Sequence, residues 1–261
     1  MRTFILSGVE SAVATAAELV LDALSAGGDS GAPAPPVVAL PTGRTMVPLY
    51  DELALRHAAG DRTLSRVRAF NLDELLLPAG HPATFRAYMQ RHAYGRTGLA
   101  AARSDIPRSD ADPVAECARY DAALAGALDG GTLDLALLGL GADGHVAYNL
   151  PGSPVAGTHV VELSDAVANG LAVPHALRPL RAITLGFAPL WKARRVIVLA
   201  TGADKATAVR HLVDGPIDER WPCSMLCDHP NIDVVLTVEA ASEPVGGPGP
   251  AGAKVPTKEL T

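Results

Sequence analysis

Residues 133–140 read LDLALLGL, eight positions with one charge among them. A strand of that composition has no wet face. It belongs inside a sheet covered on both sides, as parallel sheets are. VVAL (37–40), RVRAFNL (66–72), RRVIVLATG (194–202) and IDVVLTV (232–238) repeat the pattern, and Arg2–Leu6 forms a shorter strand candidate. Between these runs the apolar residues fall at helical spacing: Ser11 to Leu24, Val47 to His57, 81–94, 113–128 with Pro113 in the first turn, and 203–213. Strands alternating with helices predict an α/β fold, a mainly parallel, Rossmann-like sheet with helices on both faces. From the glycine loop that follows residue 140 to AITLGF (182–187) the pattern sets no order. The expected organisation is one domain over 1–241. A tail, 242–261, lacks any core-forming pattern and is expected to be disordered, and AGGDSGAPAPP (26–36) reads as a loop.

The 261 residues are 48% hydrophobic and 19% charged, enough apolar material for a proper core. A net charge of −6 without a basic run excludes nucleic acid as the expected partner. No apolar run approaches the ~18 residues of a membrane span, and the first residues are too briefly apolar for a secretory signal. Cys117, Cys223 and Cys227 are a sparse, odd set that suits a reducing cytoplasm. CSMLCDH (223–229) has metal-ligating residue types but not an established ligand spacing; it reads as buried small residues, and no metal is assigned.

In parallel sheets ligands sit beyond the carboxyl ends of the strands, so the strand exits are where chemistry is expected. Four exits carry it. LPTGRT (40–45) offers the hydroxyls of Thr42 and Thr45, the small Gly43 and the cation Arg44, followed by a helix whose amino end attracts anions. As a local pattern this is equally an ordinary strand-to-helix turn. FNLDELLLP (70–78) ends its apolar strand in Asp73 and Glu74, a base candidate or a turn cap. LGLGADGHVAYNLPG (138–152) places Asp143 two positions before His145; a carboxylate there can fix the imidazole tautomer and raise its basicity. TGADK (201–205) puts Lys205 in the first turn of a helix, where the dipole disfavours a cation unless an anion is close. Four such groups at one sheet edge point to a sugar-phosphate pocket.

LPTGRTMVPLYDEL, FNLDELLLPAGHPATFRAYM, DLALLGLGADGHVAYNLPGS and VIVLATGADKATAV followed by HPNIDVVL resemble, in this order, the glucosamine-6-phosphate deaminases, which share a superfamily with the 6-phosphogluconolactonases. The resemblance runs from about residue 2 to 241, and FNLDE followed by HPATF is similar to the deaminase branch. It implies an enzyme that opens the sugar ring, moves a proton between C2 and C1 and releases ammonia and fructose 6-phosphate without a cofactor. It implies that Asp73 abstracts the C2 proton, that His145 oriented by Asp143 assists ring opening, and that Thr42–Thr45 and Lys205 hold the phosphate. Two positions depart from the family. Leu150 stands where a glutamate supporting the histidine is expected, and Leu171 where an arginine binds phosphate; Arg44 would supply the lost charge. These departures leave two other readings open: a relative with changed chemistry, such as a lactonase, and a sugar-phosphate sensor without catalysis. The sequence leaves the oligomeric state open, a homo-oligomer included.

Overall fold

The computed structural model describes residues 1–25 and 34–242. The loop expected over 26–36 lies mostly outside the described residues, and so does the expected tail beyond residue 242. In chain order the elements begin with β1 (Arg2–Leu6), α1 (Val9–Ser25), β2 (Val37–Leu40), α2 (Met46–Ala58), β3 (Arg68–Asn71) and β4 (Asp73–Leu75). Next come α3 (Phe85–His92), β5 (Ser104–Asp105), α4 (Pro113–Leu128), β6 (Leu135–Gly139), β7 (His159–Glu162) and α5 (Asp165–Gly170). The chain closes with β8 (Arg181–Thr184), α6 (Phe187–Trp191), β9 (Val196–Ala200), α7 (Ala206–Val213), β10 (Ile232–Thr237) and α8 (Val238–Ala241).

Seven strands form a parallel sheet in the order β1-β10-β9-β6-β2-β3-β5. The apolar run LDLALLGL supplies β6, at its centre. Its residues alternate between two cores: Leu135 and Leu137 face α1, α2 and α3, while Ala136 and Leu138 face α4, α6 and α7. Both faces are covered, which is why LDLALLGL carries no polar alternation. α4 starts where its proline predicts. Asp112 Oδ1 accepts the Ala115 N–H at 2.9 Å, and Pro113 occupies the first turn.

The path of the chain makes a crevice. From β2 it steps outward to β3 and β5; α4 then returns it to β6 on the other side of β2, and it continues to β9 and β10. Connections from β2 and β6 therefore leave in opposite directions, and the gap between their carboxyl ends is the topological switch point where such sheets bind ligands.

A second sheet, β4-β8-β7, is antiparallel and small. It corrects the expected end of the third strand: Asp73 and Glu74 do not finish it but begin β4. Leu72 is the hinge. Its N–H donates to Leu40 O at 3.0 Å in the main sheet, and its C=O accepts from Leu185 N–H at 2.7 Å beside the small one. α3 also begins later than expected, at Phe85, because Thr84 caps it: its side chain accepts the Ala87 N–H at 3.3 Å. The helix expected over 203–213 opens with a tight turn, 203–205, before α7. Among the described residues no helix is long and apolar enough to cross a membrane.

At the amino edge of the sheet, Asp233 is fully buried and takes Arg2 and Arg195, each at 2.6 Å. Burial alone would raise its pKa; the two guanidinium bonds outweigh that and lower it. Its contribution is therefore present above the ordinary carboxylate range and is lost as the pH falls through the depressed value. Asp233→Asn should lower stability to urea at pH 7 by about 1–3 kcal/mol, because both arginines stay partly solvated. The gap between variant and wild type should close as the solution is acidified below the usual carboxylate pKa.

Candidate active site

The exits of β9, β6, β2 and β3 are consecutive along the carboxyl edge of the main sheet. At the usual strand spacing they span about 15 Å. They carry Lys205, Asp143 with His145, Thr42–Thr45, and Asp73 in that order.

Asp73 is 6% exposed, and its Oδ1 is sealed without a hydrogen-bond partner. Burial, and then the charge of neighbouring Glu74, push its pKa up to about 8. The cost of burying a carboxyl with an idle oxygen is the physical mark of a functional group rather than of a turn cap. Asn71, two residues earlier, is likewise buried with both side-chain polar atoms unpartnered. Glu74 does something different. It accepts N–H bonds from Leu75 at 2.8 Å, Phe85 at 2.6 Å and Arg86 at 2.8 Å. It thus ties β4 to the amino end of α3. Burial raises its pKa to about 7 against the pull of those three amides.

The Asp143–His145 pair is formed. His145 Nδ1 lies 2.6 Å from Asp143 Oδ1, and the His145 N–H reaches the same oxygen at 3.2 Å. The bond to His145 is the first reason that the Asp143 pKa falls to about 2. With Asp143 ionised, Nδ1 is the donor and Nε2 is left for a ligand. The turn that presents them is tight. Gly141 N–H donates to His145 O at 2.9 Å, and a Cβ on Gly141 would strike the imidazole and the Asp143 carboxylate. Gly144 has a φ of +81°, and a Cβ there would lie 2.8 Å from Trp221 and 3.1 Å from Cys223. Cys223 closes the contact by donating its N–H to Gly144 O at 2.8 Å. The CSMLCDH segment thus has a structural part to play, backing this turn, and its Cys223 thiol is pushed up to about 12 by burial. Further along, Ala147 holds a φ of 54°, and Asn149 pins the loop by donating to Val146 O and Leu185 O, both at 3.0 Å.

The loop after β2 turns at Gly43, whose φ is +115°. Tyr88 Oη donates to Gly43 O at 2.8 Å, and Tyr50 Oη to Pro41 O at 2.7 Å, so two phenols hold its backbone from below. Thr45 precedes α2 and makes no side-chain cap, which leaves its hydroxyl available, whereas the first-turn amides of Met46 and Val47 are spent on Gly43 O at 3.1 Å and Arg44 O at 3.3 Å. Arg44 is exposed and makes no ion pair among the described residues. Lys205 is the residue before α7, and Asp204 lies 3.1 Å from its Nζ. The anion that its place at a helix start calls for is supplied in part by this neighbour.

Of the two departures, Leu171 ends α5 and packs into the apolar cluster of the small sheet with Phe85, Leu75 and Val173. Leu150 donates its N–H to Ser153 Oγ at 3.0 Å in the next turn. Sequence reasoning missed Tyr148, whose ring lies 5.8 Å from the His145 ring; an aromatic three residues after the histidine was the available signal. A cleft of about 910 Å³ lies at the opposite, amino edge of the sheet. It is lined by the exposed Arg66, Arg68, Arg103 and Arg194, of which Arg194 pairs with Asp134 at 3.0 Å.

The chain is similar to known proteins over most of its length. The family model for glucosamine-6-phosphate isomerases and 6-phosphogluconolactonases matches residues 9–236. The chain is 36% identical over 214 residues to a glucosamine-6-phosphate deaminase of Beutenbergia cavernae, covering 79% of this chain and 81% of that one. It is 40% identical over 217 residues to one of Pseudarthrobacter chlorophenolicus, covering 79% and 80%. Among solved structures, a monomeric glucosamine-6-phosphate deaminase superposes with a TM-score of 0.82 at 30% identity, covering 92% of this chain and 99% of that one. A 6-phosphogluconolactonase from Leishmania guyanensis shares the fold, with a TM-score of 0.75 at 22% identity and coverage of 92% and 97%. On the strength of the model match and of these relatives, the chain belongs to the family of glucosamine-6-phosphate isomerases and 6-phosphogluconolactonases.

Proposed function

We propose that the chain carries out aldose–ketose isomerisation with deamination of an amino sugar phosphate, converting glucosamine 6-phosphate to fructose 6-phosphate and ammonia without a cofactor. The observation that carries this reading is Asp73, a buried carboxyl with an idle oxygen, set one strand exit away from the Thr42–Thr45 loop and two from an ionised Asp143–His145 pair. The relatives named above as glucosamine-6-phosphate deaminases support it.

In this reading the phosphate sits at the Gly43 turn, where the α2 dipole favours an anion, with the Thr42 and Thr45 hydroxyls, Lys205 and the exposed Arg44 around it. His145 Nε2 takes the anomeric O1–H proton and delivers it to the ring oxygen as the C1–O5 bond breaks, while Asp143 stabilises the transient imidazolium. Asp73 then takes the proton from C2 and returns a proton at C1, while a proton passes from the substrate ammonium to O1. The resulting imine at C2 is hydrolysed by water, which gives the ketose and ammonia. Leu150 can neither accept a proton nor orient the imidazole, so Asp143 orients it alone. That observation also favours a second reading, hydrolysis of a sugar-phosphate lactone, in which His145 activates water and Asp73 is idle. Ammonia release from glucosamine 6-phosphate, absent with 6-phosphogluconolactone hydrolysis in its place, decides between the two.

Asp73→Asn should reduce ammonia release by about 10³-fold or more in a coupled assay, near the upper range for a lost general base. The same variant should be the more stable protein. The folded pKa of Asp73 lies above its unfolded value, so its share of stability is intact at low pH and is lost as the pH rises toward 8. Asparagine does not titrate. The variant's advantage in thermal melting should therefore grow from about pH 4 and level off above pH 8, at about 5 kcal/mol.

For the wild type, kcat/KM should climb with pH along a limb near 8 set by Asp73, since the base must be ionised in the free enzyme. A rate profile flat from pH 6 to 9 would contradict this assignment. Gly144→Ala forces a Cβ against Trp221 and a side chain onto a left-handed backbone. It should lower kcat by roughly 10²-fold by displacing His145, while circular dichroism shows the fold intact.

A further inference from the structure

Tyr148 carries a phenol that none of the steps above employs. Three contacts fix where it stands. Its N–H donates to Thr184 Oγ1 at 3.0 Å, and Thr184 is the residue paired with Asp73 across the β4–β8 ladder. Its ring stacks on Phe85 with centroids 6.1 Å apart and planes 21° from parallel. The His145 ring lies 5.8 Å away. Phe85 is itself anchored, because its N–H is held by Glu74 at 2.6 Å. Backbone and ring are thus locked between the carboxyl and the imidazole.

The hydroxyl is not locked. Among the described residues Tyr148 Oη makes no hydrogen bond, and it is not one of the sealed polar atoms either, so a ligand can reach it. Its ionisation is suppressed: burial first, then the charge of Asp73, hold the phenol above its ordinary range. It is therefore a neutral donor wherever the enzyme works, able to bind a developing anion without adding charge to a site that already holds two carboxylates. Leu150, two residues on, offers no such group.

We propose that Tyr148 is a further catalytic residue, donating a hydrogen bond to the sugar O1 as negative charge develops there. The proposal rests on the amino-sugar reading. In the proton-transfer step the C2–H bond breaks and its proton passes to the Asp73 carboxylate. The C–H electron pair becomes the C1–C2 double bond, and the aldehyde π pair moves onto O1. Tyr148 keeps its own proton and stabilises that oxygen, as an oxyanion donor does.

Tyr148→Phe keeps the ring and its stack on Phe85 and removes only the O–H. With glucosamine 6-phosphate, kcat should fall roughly 10²-fold with KM within about threefold, the loss expected for one oxyanion donor. The isotope effect on kcat with substrate deuterated at C2 should rise, since proton abstraction becomes slower; a merely structural tyrosine would not change it. Full-length protein carrying difluorotyrosine at 148, whose phenol ionises at lower pH, should acquire a falling alkaline limb in kcat that the wild type lacks. Wild-type kcat and isotope effect in Tyr148→Phe, or an unaltered alkaline limb in the fluorinated protein, would overturn the proposal while leaving the deaminase reading intact. A wild-type chain that releases no ammonia overturns that reading, and this proposal with it.

Discussion

The chain leaves one sheet and enters another within a single residue, Leu72, and the site depends on that transfer. The two backbone bonds of Leu72 face different ways, its N–H to Leu40 in the parallel sheet and its C=O to Leu185 next to the antiparallel one. Neither sheet alone would put a carboxyl where Asp73 stands. A strand that simply ended would release its last acidic residue into water, where it ionises at low pH. A strand that continued would point it into a helix layer. Redirecting the backbone at the carboxyl edge instead keeps Asp73 sealed at the junction, and burial there is what lifts its pKa to about 8. The raised pKa of Asp73 is made by topology more than by any neighbouring charge.

What surrounds Asp73 shows how the fold bears this cost. The adjacent Glu74 is buried as well, and two carboxylates side by side would repel. Glu74 is satisfied by three backbone amides, from Leu75, Phe85 and Arg86, so it serves as the cap and anchor of α3. Asp73 has no comparable partner and keeps Oδ1 idle. Two neighbouring carboxyls therefore differ in kind, Glu74 bonded and Asp73 with an idle oxygen, and hydrogen-bond satisfaction separates them. The amides that steady Glu74 also fix Phe85, on which Tyr148 stacks. The scaffold of α3 thereby extends to the ring beside His145.

The parallel sheet was legible because its signal is local. β2, β6, β9 and β10 are buried on both faces; β2, β6 and β9 write that burial as an uninterrupted apolar run, and β10 breaks it only at Asp233 and Thr237. The switch point, and with it the four exits, follow from the alternation of such runs with helices. The small sheet was not legible for the converse reason. β4 has three residues, β7 and β8 four each, and Asp73 pairs with Thr184 more than a hundred positions away. Nothing within β4 distinguishes a paired strand from a turn, so Asp73 read as the end of its predecessor. Lys205 shows the same limit on a smaller scale. Its place at a helix start was readable, but the half of its charge balance that comes from Asp204 depends on how the 203–205 turn winds.

The loop that presents His145 is held by geometry a chain does not adopt spontaneously. Gly144 and Ala147 both occupy left-handed backbone, and for alanine that costs about 1–2 kcal/mol. Strain of this kind persists only where surroundings over-determine it. Here Cys223 bonds Gly144 from one side, and Asn149 ties the far end of the turn to Leu185 beside the small sheet. The turn is thus clamped to both structural units that supply the site, the exits of the main sheet and the edge of the small one. A relaxed loop could have kept an Asp–His pair, since the two residues lie only two positions apart. It could not have kept that pair in register with Asp73, which arrives from another sheet. Fixing the distance between two groups brought by separate elements is what the strained turn accomplishes, and it explains why the glycines sit where they do.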